Sequence, residues 1–510
     1  MTNLALDLRE AAQMYPDRAA IRLDDTILSY AQLDDLSARA ANWLRERGLA
    51  PGDPVGIMAP NVPQFPVFYY GVLRAGGAVV PMNPLLKSRE VAHYLGDSGA
   101  SLVLAWETAA DEAAAGAAAA GAEAVIVPAL DEVAAWPESP GTEVIRRADH
   151  DTAVILYTSG TTGTPKGAEL THANMRRNAA VTATSLLALG PDDVVMGCLP
   201  LFHSFGQTCG LNAAVQSGAC LTLIPRFSPA AAVRVIERDR VTVFEGVPTM
   251  YVGLLGEGAG DADTSSLRLC VSGGAALPVE VLHGFEKEFG AVILEGYGLS
   301  ETSPVATFNR RDQRKPGSIG LPVEGVELRL VDAGDSDDLV DTPPGEVGEI
   351  AIRGHNVMKG YWKRPDATAA AMRGGWFRTG DLARADEDGF YFIVDRKKEL
   401  IIRGGYNVYP REIEEVLYEH PGVLEAAVLG VAHPSLGEEV AAAVALRPGA
   451  SATPDELREW VKQRVAAYKY PRHVWLTDGL PKGATGKILK REIVIPAEVT
   501  GAATGKAARP

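Results

Sequence analysis

Residues 153–163 read AVILYTSGTTG, a short apolar, β-branched run that ends in a polar, glycine-rich turn. Near-continuous apolar runs are typical of strands buried on both faces, and helices are predicted between them. We therefore predict an α/β sheet whose polar turns gather at the carboxyl ends of its strands, the edge at which open α/β sheets bind ligands. Gly160, Gly273, Gly274 and Tyr297 are expected to meet there. The pattern returns in VVMGCLPLFHSFG (194–206), CLTLIPRF (220–227), VTVFEGVP (241–248), LRLCVSGGA (267–275) and AVILEGYGLSE (291–301).

The turn that closes the first run carries the strongest local signal. Residues 157–172 read YTSGTTGTPKGAELTH, with only Thr, Ser or Gly at positions 158–163. Glycines let backbone N–H groups approach an anion, hydroxyls add donors, and Lys166 adds a positive charge. This composition predicts a loop that holds phosphate. The alternative, a flexible linker, does not explain a lone lysine beside a buried strand.

Composition narrows the class of protein. The 510 residues contain 49 Lys and Arg against 65 Asp and Glu, a net charge of −16, which disfavours a nucleic-acid partner because phosphate contacts need a basic face. The four cysteines form no C-x-x-C pair, which indicates buried thiols in a reducing compartment. Because no apolar leader and no run of about 18 apolar residues is present, we expect a cytoplasmic protein without integral membrane association.

The character of the sequence changes near residue 395. PREIEEVLYEH (410–420) is predicted as an amphipathic helix, EAAVLGVA and VAAAVALR as two strands, and TPDELREWVKQRVAAY (453–468) as a helix capped by Thr453. We therefore expect a large domain over 1–394, a hinge at 395–400, a smaller α+β domain over 401–500 and a frayed tail at 501–510. The alanine-rich residues 107–124 are predicted as a surface helix or a loosely ordered link.

Four further motifs follow the phosphate-holding loop: YGLSETSP (297–304), TGDLAR (379–384), DRKKELIIRGGYNVYPREIE (395–414) and PKGATGKI (481–488). In this order and at these separations the five motifs resemble the adenylate-forming superfamily, which includes acyl-CoA synthetases, firefly luciferase and the adenylation domains of peptide synthetases. The resemblance covers essentially the whole chain. It implies a large N-terminal domain of α/β sheets with a smaller, mobile α+β C-terminal domain. It also implies ATP and coenzyme A as substrates and Mg²⁺ as a cofactor.

The implied chemistry activates a carboxylate, which attacks the α-phosphate of ATP, expels pyrophosphate and leaves a mixed anhydride that a thiol resolves by displacing AMP. Negative oxygens must be gathered in a dry pocket by metal and cations. The resemblance assigns charge neutralisation to Lys487, Mg²⁺ binding to Glu301 and Thr158, the adenine wall to Tyr297, and the ribose hydroxyls to Asp381. The full set of expected ATP contacts is Thr158, Ser159, Gly160, Thr161, Thr162, Gly163, Lys166, Gly274, Ala275, Glu295, Gly296, Tyr297, Ser300, Asp381, Arg396 and Lys487.

The acid and coenzyme A sites are assigned on the same basis. The residues expected around the acid are small or apolar, which favours an apolar acyl tail. No acidic residue is identified among them that would hold an amino acid's ammonium group. The pivot between two orientations of the C-terminal domain matches Lys398. Expected acyl contacts are His203, Phe205, Gly206, Val247, Gly274 and Gly298, and expected coenzyme A contacts are Arg226, Arg403, Gly404 and Gly405.

Several alternatives stay open. Taken alone, Glu301 is also explained as a helix N-terminal charge, Asp381 as a turn residue, His203 as a satisfied polar group and Lys487 as a solvated lysine. Within the superfamily, the FHSFG turn and the GGYNVYP loop resemble those of fatty-acyl or aryl-acid CoA ligases. A medium- or long-chain fatty acid is the predicted substrate. The alternatives are an aryl acid such as cinnamate or benzoate, transfer of the acyl group to a carrier protein or amine, and a nucleotide sensor with a degenerate site. A homodimer is left open.

Overall fold

The computed structural model describes residues 3–137, 143–158, 165–334, 339–483 and 486–499. No helix within these ranges is long and apolar enough to cross a membrane. In chain order the strands are β1 Ala19–Leu23, β2 Thr26–Ser29, β3 Pro54–Met58, β4 Ala78–Met82, β5 Leu102–Ala105, β6 Glu123–Ile126, β7 Thr152–Thr158, β8 Lys166–Thr171, β9 Val194–Gly197, β10 Cys220–Leu223, β11 Val243–Gly246, β12 Leu269–Ser272, β13 Val292–Gly298, β14 Val305–Phe308, β15 Leu321–Pro322, β16 Val326–Val331, β17 Gly348–Gly354, β18 Gly360–Tyr361, β19 Met372–Arg373, β20 Trp376–Ala385, β21 Tyr391–Arg396, β22 Ile401–Arg403, β23 Tyr406–Val408, β24 Val423–His433, β25 Gly437–Leu446 and β26 His473–Leu476.

The helices lie mainly between these strands. Short 3₁₀ turns occur at Glu107–Ala109, Ser300–Thr302 and Lys490–Glu492, and π-helical segments at Thr182–Leu186 and Phe205–Asn212. The α-helices are α1 Ala5–Met14, α2 Tyr30–Glu46, α3 Gln64–Arg74, α4 Ser88–Ser98, α5 Ala110–Ala120, α6 Leu130–Ala135, α7 His172–Val181, α8 Ala213–Ser217, α9 Pro229–Asp239, α10 Pro248–Glu257, α11 Val279–Phe289, α12 Pro365–Ala371, α13 Pro410–Tyr418 and α14 Pro454–Lys462.

Two α/β sheets form the larger part of the chain. The first has nine strands in the order β15-β14-β13-β12-β11-β9-β10-β1-β2, and its strands from β13 to β1 are parallel. The second has seven strands in the order β18-β8-β7-β4-β3-β5-β6, parallel from β7 to β6. Strands β9 to β12 are almost entirely buried, as near-continuous apolar runs predict for strands covered on both faces. The predicted α/β class is thereby confirmed.

The prediction of a single sheet for the six apolar runs is wrong. Strand β7, which holds the first run, pairs with β4 and β8 in the seven-stranded sheet, whereas the other five runs form β9 to β13 of the nine-stranded sheet. A hydrophobic pattern indicates that a strand is buried but does not select its partner. The motif-bearing turns therefore come from two sheets rather than from one edge.

Two smaller antiparallel sheets complete the chain. Strands β16, β17, β20, β19 and β21 form one sheet, and β23, β22, β25, β24 and β26 form the other, in which only β26 is parallel to its neighbour. Helices α13 and α14 pack on the last sheet around a core that contains Ile413, Leu417 and Leu457. The chain leaves one sheet at Arg396 and enters the other at Ile401, within the segment that the sequence suggests as a hinge.

Local sequence explains several helix ends. The hydroxyl of Thr453 accepts a hydrogen bond from the N–H of Glu456 at 3.2 Å, which confirms the predicted cap of α14, although that helix ends at Lys462 and not at 468. The alanine-rich stretch forms α5, the surface helix of the two alternatives. A Cβ on Gly116 would lie 2.6 Å from Cβ of Val91, so glycine there permits the close packing of α5 on α4.

Candidate active site

A cavity of about 470 Å³ lies between the carboxyl ends of the nine-stranded sheet and the C-terminal part of the chain. Residues from β7, the π-helical segment after β9, β11 to β13, β20, β21 and the loop before residue 488 line it together. It therefore collects turns that are more than 300 residues apart in sequence. The predicted site residues that line it are Thr158, His203, Phe205, Val247, Gly274, Ala275, Glu295, Gly296, Tyr297, Gly298, Ser300, Glu301, Asp381, Arg396 and Lys487.

Asp381 forms a small hydrogen-bonded group with Tyr297 and Arg396. The Tyr297 hydroxyl donates to Oδ2 of Asp381 at 2.7 Å, and Nε of Arg396 lies 3.0 Å from Oδ1. Strands β20 and β21 set this contact, because Asp381 and Arg396 are paired in register. Only 4% of Asp381 is exposed, and its negative charge raises the pKa of Arg396. The sequence shows no local partner for Asp381, since both partners come from other strands.

Glu301 is a second buried carboxylate, 9% exposed, in the 3₁₀ turn after β13. Its Oε1 accepts from the Tyr361 hydroxyl at 2.9 Å and lies 3.5 Å from the hydroxyl of Thr158. Burial raises the pKa of Glu301, because the charged form has lost water. Nζ of Lys166 lies 5.3 Å from the centre of the Tyr361 ring, so Lys166 stands beside this group without lining the cavity.

The described residues offer no cluster of three or more His, Cys, Asp or Glu side chains that would hold a metal by themselves. One carboxylate and one hydroxyl are instead present at Glu301 and Thr158. Mg²⁺ binds with few protein oxygens when substrate phosphates and water complete its six ligands, so this pair fits Mg²⁺ better than a metal held by protein alone.

Lys487 reaches the cavity from the C-terminal part of the chain. The preceding residue, Gly486, is fixed by the Thr249 hydroxyl, which donates to its carbonyl oxygen at 3.0 Å. A Cβ on Gly486 would lie 2.8 Å from Oγ1 of Thr249, and its φ of +77° favours glycine, so the close approach of the two parts depends on this residue. Burial, and then repulsion from Arg396, lower the pKa of Lys487.

Glu295 also lines the cavity, and its Oε2 accepts from the N–H of Gly317 at 2.8 Å. Burial raises its pKa to about 7. His203 lies across the cavity, where Nδ1 faces the N–H of Phe205 at 3.3 Å. Burial and the positive charge of Lys487 lower the pKa of His203 to about 4, so its imidazole is neutral at pH 7. The imidazole of His203 therefore adds no positive charge beside Lys487.

Some predicted residues lie elsewhere. Ser159, Gly160, Thr161, Thr162 and Gly163, and the tail at 501–510, fall outside the described residues. Arg226 is exposed after β10 and does not line the cavity. Gly206 does not line it either: a Cβ there would lie 2.4 Å from the carbonyl oxygen of Pro200, so glycine serves backbone packing. Lys398, Gly404 and Gly405 are also outside it.

Arg403 is engaged within the C-terminal sheet. Its guanidinium pairs with the carboxylate of Glu439, at 2.9 Å for Nη2 to Oε2, and that contact raises the pKa of Arg403. In this orientation of the C-terminal part, Arg403 therefore lies away from the cavity and is occupied by an internal partner.

Glu245 was not identified from the sequence, although it lines the cavity. Glu245 lies in β11, is 1% exposed and lines the cavity. The only signal in the sequence is a charged letter inside the apolar run VTVFEGVP, which is unusual for a strand covered on both faces. Burial raises the pKa of Glu245 to about 8.

Family models match most of the chain. The model of the AMP-binding enzyme matches residues 8–362, and that of the AMP-binding enzyme C-terminal domain matches residues 412–487. Among curated proteins, a long-chain-fatty-acid–CoA ligase of Bacillus subtilis is 37% identical over 524 residues, covering 96% of this chain and 93% of the relative. A feruloyl-CoA synthase of Amycolatopsis is 40% identical over 487 residues, covering 94% and 96%.

Solved structures agree with the sequence matches. ATP-bound MatB from Rhodopseudomonas palustris superimposes with a TM-score of 0.87 at 34% identity, covering 96% of this chain and 98% of the other. A benzoate CoA ligase from Burkholderia xenovorans gives a TM-score of 0.88 at 30% identity, covering 96% and 99%. Sequence, fold and cavity together show that this chain belongs to the AMP-binding enzyme family, within the adenylate-forming superfamily, and is an enzyme of its acyl-CoA synthetase type.

Proposed function

We propose that the enzyme joins a carboxylic acid to coenzyme A in two steps through an acyl-adenylate, with ATP converted to AMP and pyrophosphate. The observation that supports this best is the presence of Lys487, carried by the C-terminal part, in the same cavity as Glu301 and the Tyr297–Asp381–Arg396 group. The cavity thus gathers cations and polar groups from both parts of the chain around a space suited to one nucleotide and one acid.

Each group has a role that its surroundings support. The oxygens of Asp381, already hydrogen-bond acceptors for Tyr297 and Arg396, would accept from the ribose hydroxyls. The Tyr297 ring offers the adenine a flat apolar face. Lys487 would draw the acid carboxylate and the α-phosphate together and offset the negative charge that grows as pyrophosphate leaves. Glycines such as Gly274, which have no side chain, leave room for the nucleotide.

Glu301 and Thr158 would hold Mg²⁺ together with the phosphates. The ion, when bound, supplies positive charge to the phosphate oxygens. Tyr361 donates to Glu301 and orients its carboxylate toward the cavity. Lys166, which lies beside Tyr361, would contact the phosphates. The sequence predicts the same role for the loop at 159–163. These assignments explain why two polar side chains and one lysine crowd around a single buried carboxylate.

The thioester step would need a second orientation of the C-terminal part. The hinge at 395–400, with Lys398 as pivot, joins two different sheets, which permits rotation there. Rotation would withdraw Lys487 and bring Arg403, Gly404 and Gly405 to the cavity mouth as a channel for the pantetheine arm. Arg226, exposed on the N-terminal part, is free of the cavity and is proposed to contact the coenzyme A nucleotide.

Two classes of acid remain candidates. The largely apolar lining by Phe205, Val247 and Val305 supports both a medium- or long-chain fatty acid and an aryl acid. Relatives named for both classes stand at similar identity, 37% for the fatty-acid ligase and 40% for the feruloyl enzyme.

The test is AMP release measured over a panel of acids, from acetate to stearate with benzoates and cinnamates, each with and without coenzyme A. A coenzyme A ligase gives acid-dependent AMP formation that continues only when the thiol is present. An enzyme that loads an amine or carrier protein would release no more AMP with coenzyme A than without it, which would contradict the proposal.

A further inference from the structure

Glu245 is a buried carboxyl group that the adenylation chemistry does not use. It projects from β11 into the cavity, and among the described residues no group forms a hydrogen bond with its Oε1. Its Oε2 lies against the π-helical segment, where a Cβ on Gly210 would come within 3.4 Å of it. A buried polar group without a partner costs free energy, so its place at a cavity wall indicates a partner that enters the cavity.

Two other polar atoms of the cavity lining are also unsatisfied. Within the described part of the chain, Oγ of Ser204 and Oγ of Ser272 have no hydrogen-bond partner, and both residues line the same cavity. Ser272 is paired in register with Gly246, one position beyond Glu245, so its side chain lies on the opposite face of the sheet. Glu245 is therefore the unsatisfied carboxyl group on its own face of these two strands.

The charge state of Glu245 selects the kind of partner. Burial alone raises its pKa, with no contribution from a charged neighbour. Together with burial, Glu245 in turn raises the pKa of the thiols of Cys198 and Cys209 and of the Tyr251 hydroxyl. A protonated carboxyl group both donates and accepts one hydrogen bond, which matches a neutral hydroxyl. An ammonium ion would instead require Glu245 to give up this proton, against the preference that burial gives it.

The position of Glu245 sets the length of the acid. Val247 stands at the mouth, because a Cβ on Gly486, the neighbour of Lys487, would lie 3.0 Å from its Cγ2. Glu245 is two residues deeper along the strand, and at about 3.3 Å per residue this places it roughly 7 Å below the mouth. That depth matches the length of one aromatic ring.

From this geometry we infer that Glu245 is a specificity-determining residue that hydrogen-bonds a hydroxyl at the far end of the substrate, and that the substrate is a hydroxyaryl acid. The inference rests on the proposed acid–CoA ligase activity and deepens it by naming the acid. An acid of the same shape without the hydroxyl leaves Glu245 unpaired and is therefore a poor substrate.

The test compares acids that differ only in the hydroxyl: 4-hydroxycinnamate with cinnamate, and 4-hydroxybenzoate with benzoate. Of the two hydroxylated acids, we consider the one that the wild type uses better. Its kcat/KM is expected to be about ten- to a hundredfold higher than that of the same acid without the hydroxyl. Glu245→Leu, which keeps the volume but removes the hydrogen bond, is expected to abolish or reverse this preference. Glu245→Gln, which still forms hydrogen bonds, is expected to retain part of it.

Cys209→Ala is the matched control, because Cys209 lines the same cavity and its truncation changes volume without removing a carboxyl group. This variant is expected to change kcat/KM for both acids of a pair by the same factor. Equal kcat/KM for both acids in the wild type, or an unchanged ratio in Glu245→Leu, would overturn the inference and leave the ligase activity standing. Should Glu245→Leu fail to fold, the wild-type ratio and Glu245→Gln decide. Absence of AMP release with every acid would overturn the ligase activity and the inference together.

Discussion

The buried carboxyl group of Glu245 should make stability depend on pH in a way that one substitution removes. Its pKa rises from 4.5 to about 8 on folding. The folded state therefore binds a proton that the unfolded state has lost, and the stabilisation that this proton gives is complete below pH 4.5 and is lost as pH rises to 8. Between pH 5 and pH 8 the two pKa values correspond to a loss of about 3 to 4 kcal/mol in the free energy of unfolding.

Glu245→Gln removes this titration while preserving shape. We expect the wild type to lose that free energy relative to Glu245→Gln between pH 5 and pH 8, measured by urea unfolding at four pH values. Glu295 and Asp395, whose pKa values burial also raises, are present in both proteins and cancel in the difference. As a control, Glu327→Gln removes an exposed carboxylate paired with Arg353. Its free energy of unfolding relative to the wild type should change by less than about 1 kcal/mol between pH 5 and pH 8. A flat difference for Glu245→Gln would refute the burial argument.

Three further predictions concern the nucleotide site and the hinge. Glu301→Gln should reduce the Mg²⁺-dependent part of ATP affinity by about ten- to a hundredfold in calorimetric titrations, and unchanged affinity with the metal would count against its role. Gly486→Ala should slow acid-dependent pyrophosphate exchange about tenfold, because a Cβ at a φ of +77° and 2.8 Å from Thr249 opposes docking of the loop; an unaltered rate would show that the close approach is dispensable. Lys398→Pro should slow thioester formation about tenfold more than pyrophosphate exchange in single-turnover assays, and equal loss of both would argue against a pivot there.

The sequence was sufficient for the class of fold and for the convergence of distant motifs. Apolar runs that end in polar turns predicted buried parallel strands, and Gly274, Tyr297 and Glu301 do line one cavity. Whether a residue lies in a strand or in the turn that ends it depends on the local sequence, so the hydrophobic pattern is enough to predict it. Which sheet a strand joins is not local, and for this reason the strand that ends at Thr158 was assigned to the wrong sheet.

The side-chain partners could not be predicted, because they come from elsewhere in the chain. Asp381 looked like an isolated turn residue, but Tyr297 and Arg396 hold its carboxylate from two other strands. Glu245 was overlooked because its side-chain direction could not be predicted. A single glutamate in an apolar run does not show which face of the strand it occupies, and only the packing of β11 against the π-helical segment places it at the cavity wall.

Lys487 enters the cavity from the C-terminal part and is proposed to act in adenylate formation. Acid-dependent exchange of pyrophosphate into ATP, measured for Lys487→Ala with a folded protein confirmed by its unfolding curve, tests it most directly. The rate of exchange is expected to fall about a hundred- to a thousandfold. Lys462→Ala, in helix α14 of the same C-terminal part and paired with Glu459 outside the cavity, should keep the wild-type rate. Exchange by Lys487→Ala at the wild-type rate would contradict that role.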